Sequence, residues 1–213
     1  MSERRRSLMR LEIARAAVKL FRAKGVAATT GDDIAGAIGI SARTLWRYFP
    51  TKESCVRPLL TGSLETLAAA LRDCPPGAGL LAHLERVGIF ADRETLGTEP
   101  IADLVRMTRT EPALRTVWLD VHHAAEEVFA EIIAERVGAA PGDLAVRMQA
   151  AVLNAALRVA AEEHARALAQ SSDPPPLGAV LRTALTAAAP ALPAFAPAPE
   201  PDTRPRTDAG TGT

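Results

Sequence analysis

Hydrophobic residues recur every three to four positions along most of the chain, which is the period of an amphipathic α-helix. The first such segment predicts a helix over residues 7–24, ended by Gly25. Two short helices are predicted next, because Thr30 and Ser41 can each cap a helix start and Gly39 interrupts the pattern between them. The first fifty residues are therefore predicted to form three helices with a tight turn before the third.

The remainder of the chain shows the same period in longer segments. Pro50 ends the third helix, and Thr51 is placed to cap a fourth that runs from Lys52 to about Arg72. Five further predicted helices are bounded by Gly or Pro, at about 80–91, 100–109, 112–137, 142–169 and 177–189. From residue 190 onward, Pro, Ala, Thr and Gly predict a disordered tail, because they offer too little apolar surface to offset the ordering entropy. The expected fold is all-α.

Composition narrows the class of protein. Hydrophobic residues make up 48% and charged residues 23% of the 213 residues, a balance typical of a folded globular protein. Two cysteines are too few for a disulfide framework or a zinc finger. No apolar run approaches the roughly eighteen uninterrupted residues of a membrane span, and no signal peptide is evident. We therefore expect a cytoplasmic protein without a membrane partner.

The formal net charge is zero, but the two ends of the chain differ. Residues 1–60 carry twelve Lys and Arg against five Asp and Glu, whereas the rest carries 13 against 20. A basic N-terminal quarter on an acidic body indicates a polyanionic partner at that end. We interpret the Arg4-Arg5-Arg6 run as a flexible solubilising end, with a basic arm that reaches an adjacent groove as the alternative.

The three N-terminal helices match a helix-turn-helix, a DNA-binding motif. Ile34, Leu45 and Phe49 can form a small core with the first helix. The exposed face of the third helix would then present the following residues: Arg43, Thr44, Trp46, Arg47 and Tyr48. Arg43 and Arg47 lie one turn apart, so both side chains can point into the same groove.

The stretch TTGDDIAGAIGISARTLWRYFPTKESCV, residues 29–56, resembles the DNA-binding domain of the TetR (tetracycline-repressor) family. About a dozen positions match in register, among them Asp33-Ile34-Ala35, Gly39-Ile40-Ser41 and Tyr48-Phe49-Pro50. The preceding helix also fits, so the resemblance covers roughly residues 8–58. Trp46 departs from the pattern, because the family more often has tyrosine there. The resemblance implies a homodimer that binds a near-palindromic double-stranded DNA operator and is released by a small-molecule effector.

The resemblance also implies which residues contact DNA. The corresponding positions in this chain are Thr30, Ser41, Arg43, Thr44, Trp46, Arg47, Tyr48 and Lys52. In this scheme Thr30, Tyr48 and Lys52 hold phosphates. Arg43 and Arg47 are the candidates for reading base edges in the major groove.

The same resemblance implies a division into domains. Residues 1–58 would form the helix-turn-helix domain, 59–189 a helical effector-binding and dimerisation domain, and 190–213 a disordered Pro/Ala-rich tail. The candidate effector-pocket residues are Phe90, Leu104, Met107, Trp118, His122 and Met148. Trp118 and His122, one turn apart, offer an apolar wall and a polar group. The apolar faces of 146–167 and 177–188 are the candidate dimer interface.

Two other functions stay open from the residues alone. His122 and His123 precede Glu126 and Glu127 at a spacing of one helical turn, which could supply part of a metal site in a helical enzyme. Zinc sites need three or four ligands, however, so we predict no metal, no cofactor and no catalytic residue. An architectural DNA-binding protein without an effector is the second alternative. The sequence favours a ligand-responsive DNA-binding regulator that acts as a repressor, with Cys55 and Cys74 as buried small hydrophobes.

Overall fold

The computed structural model describes residues 3–91 and 99–197, and all regular secondary structure within those two ranges is helical. The helices there are, in chain order, α1 (Glu3–Lys24), α2 (Gly31–Ala37), α3 (Ala42–Tyr48), α4 (Arg57–Arg72), α5 (Leu80–Arg86), α6 (Glu99–Met107), α7 (Pro112–Val137), α8 (Leu144–Gln170) and α9 (Leu177–Ala188). Short 3-10 turns occur at Glu53–Val56, Ala189–Ala191 and Pro193–Phe195. The predicted all-α class is confirmed.

Local hydrogen bonds fix the starts of α2 and α3. The Thr30 hydroxyl accepts from the backbone N–H of Asp33, and the Asp33 carboxylate accepts from the Thr30 N–H at 2.7 Å, which makes a capping box. The Ser41 hydroxyl accepts from the Thr44 N–H at 3.2 Å and caps α3. Gly39, at φ +70°, supplies the left-handed residue that the turn between α2 and α3 requires. The predicted caps and turn of the helix-turn-helix are confirmed.

One hydrophobic core joins the helix-turn-helix to the rest of the molecule. Its fully buried large side chains from α1 to α3 are Ile13, Phe21, Ile34 and Leu45. The same core receives residues of α6 and α7, namely Leu104, Val105, Leu114, Val117, Trp118 and Val121. At the junction, Arg22 on α1 and Asp103 on α6 form an ion pair of 2.7 Å. Because the core is close-packed, a displacement of α6 acts directly on α1.

A second core lies among α4, α5, α7, α8 and α9. Its most buried members are Leu71, Leu84, Phe129, Ile133, Leu153 and Leu185. Helix α7 ends at Gly138, whose φ of +67° closes the last turn in the left-handed conformation. By length and composition α8 could cross a membrane, but here it packs along α6, α7 and α9 as an element of the helical body.

Two predicted helix starts are wrong. Helix α1 begins at Glu3, so Arg4-Arg5-Arg6 forms its first turns and is not the flexible end that the sequence suggested. Helix α4 begins at Arg57 rather than at Lys52, after the 3-10 turn. Pro58 explains the shift, because inside a helix its ring would clash with the carbonyl of the residue four positions earlier, whereas it is tolerated in the first turn.

The predicted tail does not begin at residue 190. Leu192 and Phe195 are buried in the second core. The Arg136 guanidinium donates to the Ala194 carbonyl at 2.5 Å and lies 5.0 Å from the centroid of the Phe195 ring. The prediction of disorder is therefore wrong for 190–197, because two large apolar residues anchor this stretch; positions 198–213 lie outside the described residues.

Candidate functional site

Helix α3 presents an exposed basic face. Arg43, Trp46 and Arg47 are exposed, whereas Leu45 points into the core. Neither arginine forms an ion pair within the part of the chain that the structure describes. The Arg47 guanidinium lies 5.6 Å from the centroid of the Tyr48 ring, which holds its side chain along the helix. The two guanidinium groups are therefore available to an external anion or base edge.

Trp46 rests on the start of α2. Its side chain is 44% exposed, and its ring lies against the backbone of Gly31. A Cβ atom added at Gly31 would be 2.1 Å from Cζ2 of the indole, far inside van der Waals contact. The sequence left open whether Trp46 packs or contacts DNA. One face of the ring packs on α2, and the remainder is free for contact.

Three predicted phosphate-binding residues have structural contacts of their own. Lys52 Nζ donates to the carbonyls of Val26 at 2.7 Å and Thr29 at 2.8 Å, and it lies 3.4 Å from the Ala27 carbonyl. An ammonium has three protons, so this group is fully used in joining the loop after α1 to the start of the 3-10 turn. We therefore assign Lys52 a structural role in place of the predicted phosphate contact.

The other two phosphate candidates differ in exposure. The Thr30 hydroxyl is exposed but belongs to the capping box, where it also donates to Asp33 Oδ2 at 2.6 Å. Lys24 lies 2.6 Å from the same carboxylate. The Lys24 ammonium, followed by the Thr30 donors, holds the pKa of Asp33 well below its usual range. Tyr48 is buried, so at most the end of its side chain is accessible.

A polar network connects α7 and α8. The rings of Trp118 and His122 meet edge to face, with centroids 4.1 Å apart. His122 Nδ1 lies 2.7 Å from Asn154 Oδ1, and Asn154 Nδ2 donates to Glu126 at 2.8 Å. Since Glu126 takes the amide protons, Asn154 offers its oxygen to His122, so Nδ1 carries the imidazole proton. The network continues from the Trp118 indole N–H to Glu162 Oε1 at 3.1 Å.

His122 Nε2 is left as a buried acceptor without a partner among the described residues. Burial makes the largest contribution to the lowered pKa of His122, so the imidazole ring is neutral at pH 7. His123, in contrast, is exposed, with Nδ1 4.0 Å from Glu126. No cluster of three metal-ligating side chains occurs within residues 3–91 and 99–197. The described residues therefore supply no third ligand for the alternative metal site at His122 and Glu126.

The six predicted pocket residues are not brought together. Leu104 and Trp118 belong to the first core, and Met107 packs against it. Phe90 lies in the second core, and Met148 is 56% exposed on α8. The grouping fails for Phe90 and Met148 because helical spacing alone does not show which neighbouring helix covers a given face.

An open cleft of about 280 Å³ lies between α6, the start of α7 and the C-terminal half of α8. None of the six predicted residues lines it. Arg109, Arg115 and Glu162 do line it. No local pattern predicts this grouping, because the three residues lie on separate segments of the chain. Both cysteines are buried as expected, and burial raises the pKa of Cys55 to about 12, so its thiol is unreactive at neutral pH.

Comparison with known proteins gives the family. Residues 13–59 match the profile of the bacterial regulatory proteins of the tetR family, and residues 89–193 match that of the MftR C-terminal domain. The chain is 31% identical over 170 residues to the HTH-type transcriptional regulator TcmR of Streptomyces glaucescens, which covers 75% of each chain. It is also 31% identical over 144 residues to the regulator MftR of Mycobacterium tuberculosis, covering 63% of this chain and 69% of that one.

The fold agrees with a solved structure. Salmonella enterica GusR superposes with a TM-score of 0.53 at 22% sequence identity, covering 89% of this chain and 98% of that one. This likeness concerns the fold alone, whereas the matched profiles and the relatives also cover the helix-turn-helix and most of the helical body. The chain therefore belongs to the TetR family of DNA-binding transcriptional regulators.

Proposed function

We propose that this regulator is a homodimeric repressor whose two α3 helices enter successive major grooves of a near-palindromic operator in the cytoplasm. The observation that carries the proposal is the exposed face of α3, where Arg43 and Arg47 stand one turn apart without ion-pair partners in the described chain. Guanidinium groups can bond bidentately to guanine in the major groove. Members of this family are DNA-binding regulators rather than enzymes, which removes the metal-dependent enzyme alternative.

The dimer is proposed from the uncovered apolar surface of α8. Leu144 is 73% exposed and Met148 56% exposed, and four residues of spacing place them on one face. Two exposed large apolar side chains on one face are costly for a monomer and favour burial against a second copy. Met148 thus supports the predicted interface over 146–167 better than the predicted pocket. A Met148→Glu substitution should shift the mass in light scattering toward the monomer, whereas Arg72→Gln, at an exposed position of α4, should leave it unchanged.

Effector release is proposed through the shared core of the two halves. A ligand that favours a state with a different separation of the two α3 helices weakens operator binding by its differential affinity for that state. A hundredfold loss of operator affinity requires a difference of about 2.7 kcal/mol. The contact of α6 with α1, which includes the Arg22–Asp103 ion pair, supports this path from the body to the DNA-binding helices.

The test is selection of genomic fragments by the purified protein, followed by footprinting of the bound site. The proposal predicts two protected half-sites about 34–36 Å apart, one helical turn, and two protein chains for each operator. A single protected half-site with one chain, or uniform protection without sequence preference, would refute it. The second of these results would favour the architectural alternative.

A further inference from the structure

We propose that the cleft between α6, the start of α7 and the C-terminal half of α8 is the effector site, and that it binds a small organic carboxylate with an apolar body. This rests on the proposed function, because it names the ligand class that would control operator release. The cleft holds about 280 Å³, near the lower end of the volumes typical of small-molecule sites. Val105 and Val159 give it apolar walls, and it is the size of a small metabolite.

The charges of the cleft favour an anion. Of its two carboxylates, Glu162 accepts from the Trp118 indole and from Arg158 Nη1 at 3.0 Å, and Glu163 pairs with Arg166. The negative charges that line the cleft are therefore already matched.

The positive charges are not matched in the same way. Arg109 and Arg115 line the cleft, are exposed, and form no ion pair with any of the described residues. Two guanidinium groups that line one open cleft can share one carboxylate, each through charge-assisted hydrogen bonds. A cation would meet net repulsion there, and a neutral ligand would gain no ion pair with either arginine.

The position of the cleft connects it to the DNA-binding helices. Val105 lies both in the wall of the cleft and in the core that α1 shares with α6. Asp103, half a turn away, accepts from Arg22 of α1 and from Arg106, each at 2.7 Å. A ligand that draws Arg109 toward α8 moves the end of α6 and therefore acts on this contact.

Trp118 provides a reporter for occupancy. Its indole N–H donates to Glu162, a residue that lines the cleft, so a bound anion changes the field at the ring. The chain has two tryptophans, and Trp46→Phe leaves Trp118 as the sole emitter. This background is used for ligand titration alone, and operator binding is measured with Trp46 present.

The probes are straight-chain carboxylates from acetate to decanoate together with benzoate and phenylacetate, each paired with its neutral amide. The variants are Arg109→Gln and Arg115→Gln, with Arg72→Gln as the matched control, because Arg72 is exposed at the end of α4, outside the cleft and away from the proposed dimer surface of α8. Circular dichroism and melting temperature check that each variant folds. We expect at least one carboxylate to shift Trp118 emission saturably and to release the operator, while its amide does neither.

Each cleft variant should weaken binding of that carboxylate about tenfold or more, the equivalent of one charge-assisted hydrogen bond, and Arg72→Gln should not. Operator binding without any ligand separates the two proposals. If operator binding is intact but no carboxylate binds, or binding ignores Arg109 and Arg115, the cleft proposal is overturned and the repressor proposal stands. If the chain binds no operator at all, the repressor proposal fails, whereas a saturable, arginine-dependent Trp118 response would still support the anion site.

Discussion

The contact between Gly31 and Trp46 gives the sharpest structural prediction, because the space for the indole depends on the absence of one carbon atom. In Gly31→Ala the new Cβ would lie 2.1 Å from Cζ2 and 2.6 Å from Cη2 of the ring. Ordinary contact distances are about 3.5–4.0 Å, so the indole has to move by more than about 1 Å or leave its site. Trp46 lies beside Arg43 and Arg47 on α3, so the displacement should also disturb the proposed DNA-contacting face.

The size of the stability change in Gly31→Ala follows from two opposing contributions. Overpacking costs about 1–3 kcal/mol in a close-packed core, and the lower part of that range applies here because Trp46 is 44% exposed and its ring can move outward. Replacing Gly by Ala in a helix gains at most about 1 kcal/mol, and less in the first turn. We therefore expect Gly31→Ala to lower the free energy of unfolding in urea by up to about 2 kcal/mol, which is the overpacking cost less the gain in helix propensity. Operator affinity should fall as well.

A matched control lies in the same helix. Gly36 has open space around the position of a Cβ atom, so Gly36→Ala should keep or raise stability. In a double-mutant cycle, Trp46→Ala should remove the cost of Gly31→Ala, because it removes the clashing ring. Additive effects in that cycle, or equal stability of Gly31→Ala and Gly36→Ala, would show that the indole does not occupy this site.

Three further predictions concern the body of the molecule. Gly178→Ala should lower the free energy of unfolding in urea by about 2–3 kcal/mol, because its Cβ would lie 2.1 Å from the Phe90 carbonyl oxygen and the backbone would have to move. Unchanged stability would disprove this close approach of α9 to Phe90. Arg136→Ala should lower the free energy of unfolding by about 2–4 kcal/mol, because it removes hydrogen bonds to three backbone carbonyls. Limited proteolysis of this variant should then cut within 190–197, and resistance equal to that of wild type would contradict the prediction. The pKa of His122 is lowered in the folded chain, so the unfolded chain binds a proton at this residue first, and stability should fall as the pH drops below about 6.5. His122→Phe should flatten this dependence of stability on pH. An unchanged dependence would contradict a neutral His122 ring.

Local signals in the sequence were sufficient for the helix-turn-helix. Thr30 and Ser41 cap their helices as predicted, and Gly39 takes the left-handed turn, because caps and turns depend on residues within about four positions of each other. The roles that were missed depend on distant parts of the chain. Lys52 bonds to carbonyls 23 to 26 residues away, and no local pattern predicts that encounter.

In the helical body, too, the sequence predicts local structure but not which distant residues meet. The hydrophobic period predicts α7 and α8 nearly at their observed bounds. It does not show that Met148 on α8 is exposed or that Leu104 on α6 is fully buried. Arg109 and Arg115 meet at one cleft only because α6 and α7 turn at residues 108–111, which brings two separate segments together. Likewise, Leu192 and Phe195 lie in a stretch whose composition predicts a disordered Pro/Ala-rich tail, whereas both pack in the second core and Arg136 donates to the Ala194 carbonyl beside them. Such sites arise from tertiary packing, which a single sequence leaves open.

The measurement that tests the central claim most directly is fluorescence anisotropy of the selected operator across a salt series, with wild type, Arg43→Ala and the control Arg72→Ala side by side. We predict that Arg43→Ala costs about 1–3 kcal/mol on the operator, relaxes preference at one base position and barely affects unrelated DNA. Arg72→Ala should match wild type throughout. Equal loss on every sequence would make Arg43 a phosphate contact, and no loss at all would contradict the account of α3 as the helix that reads the operator.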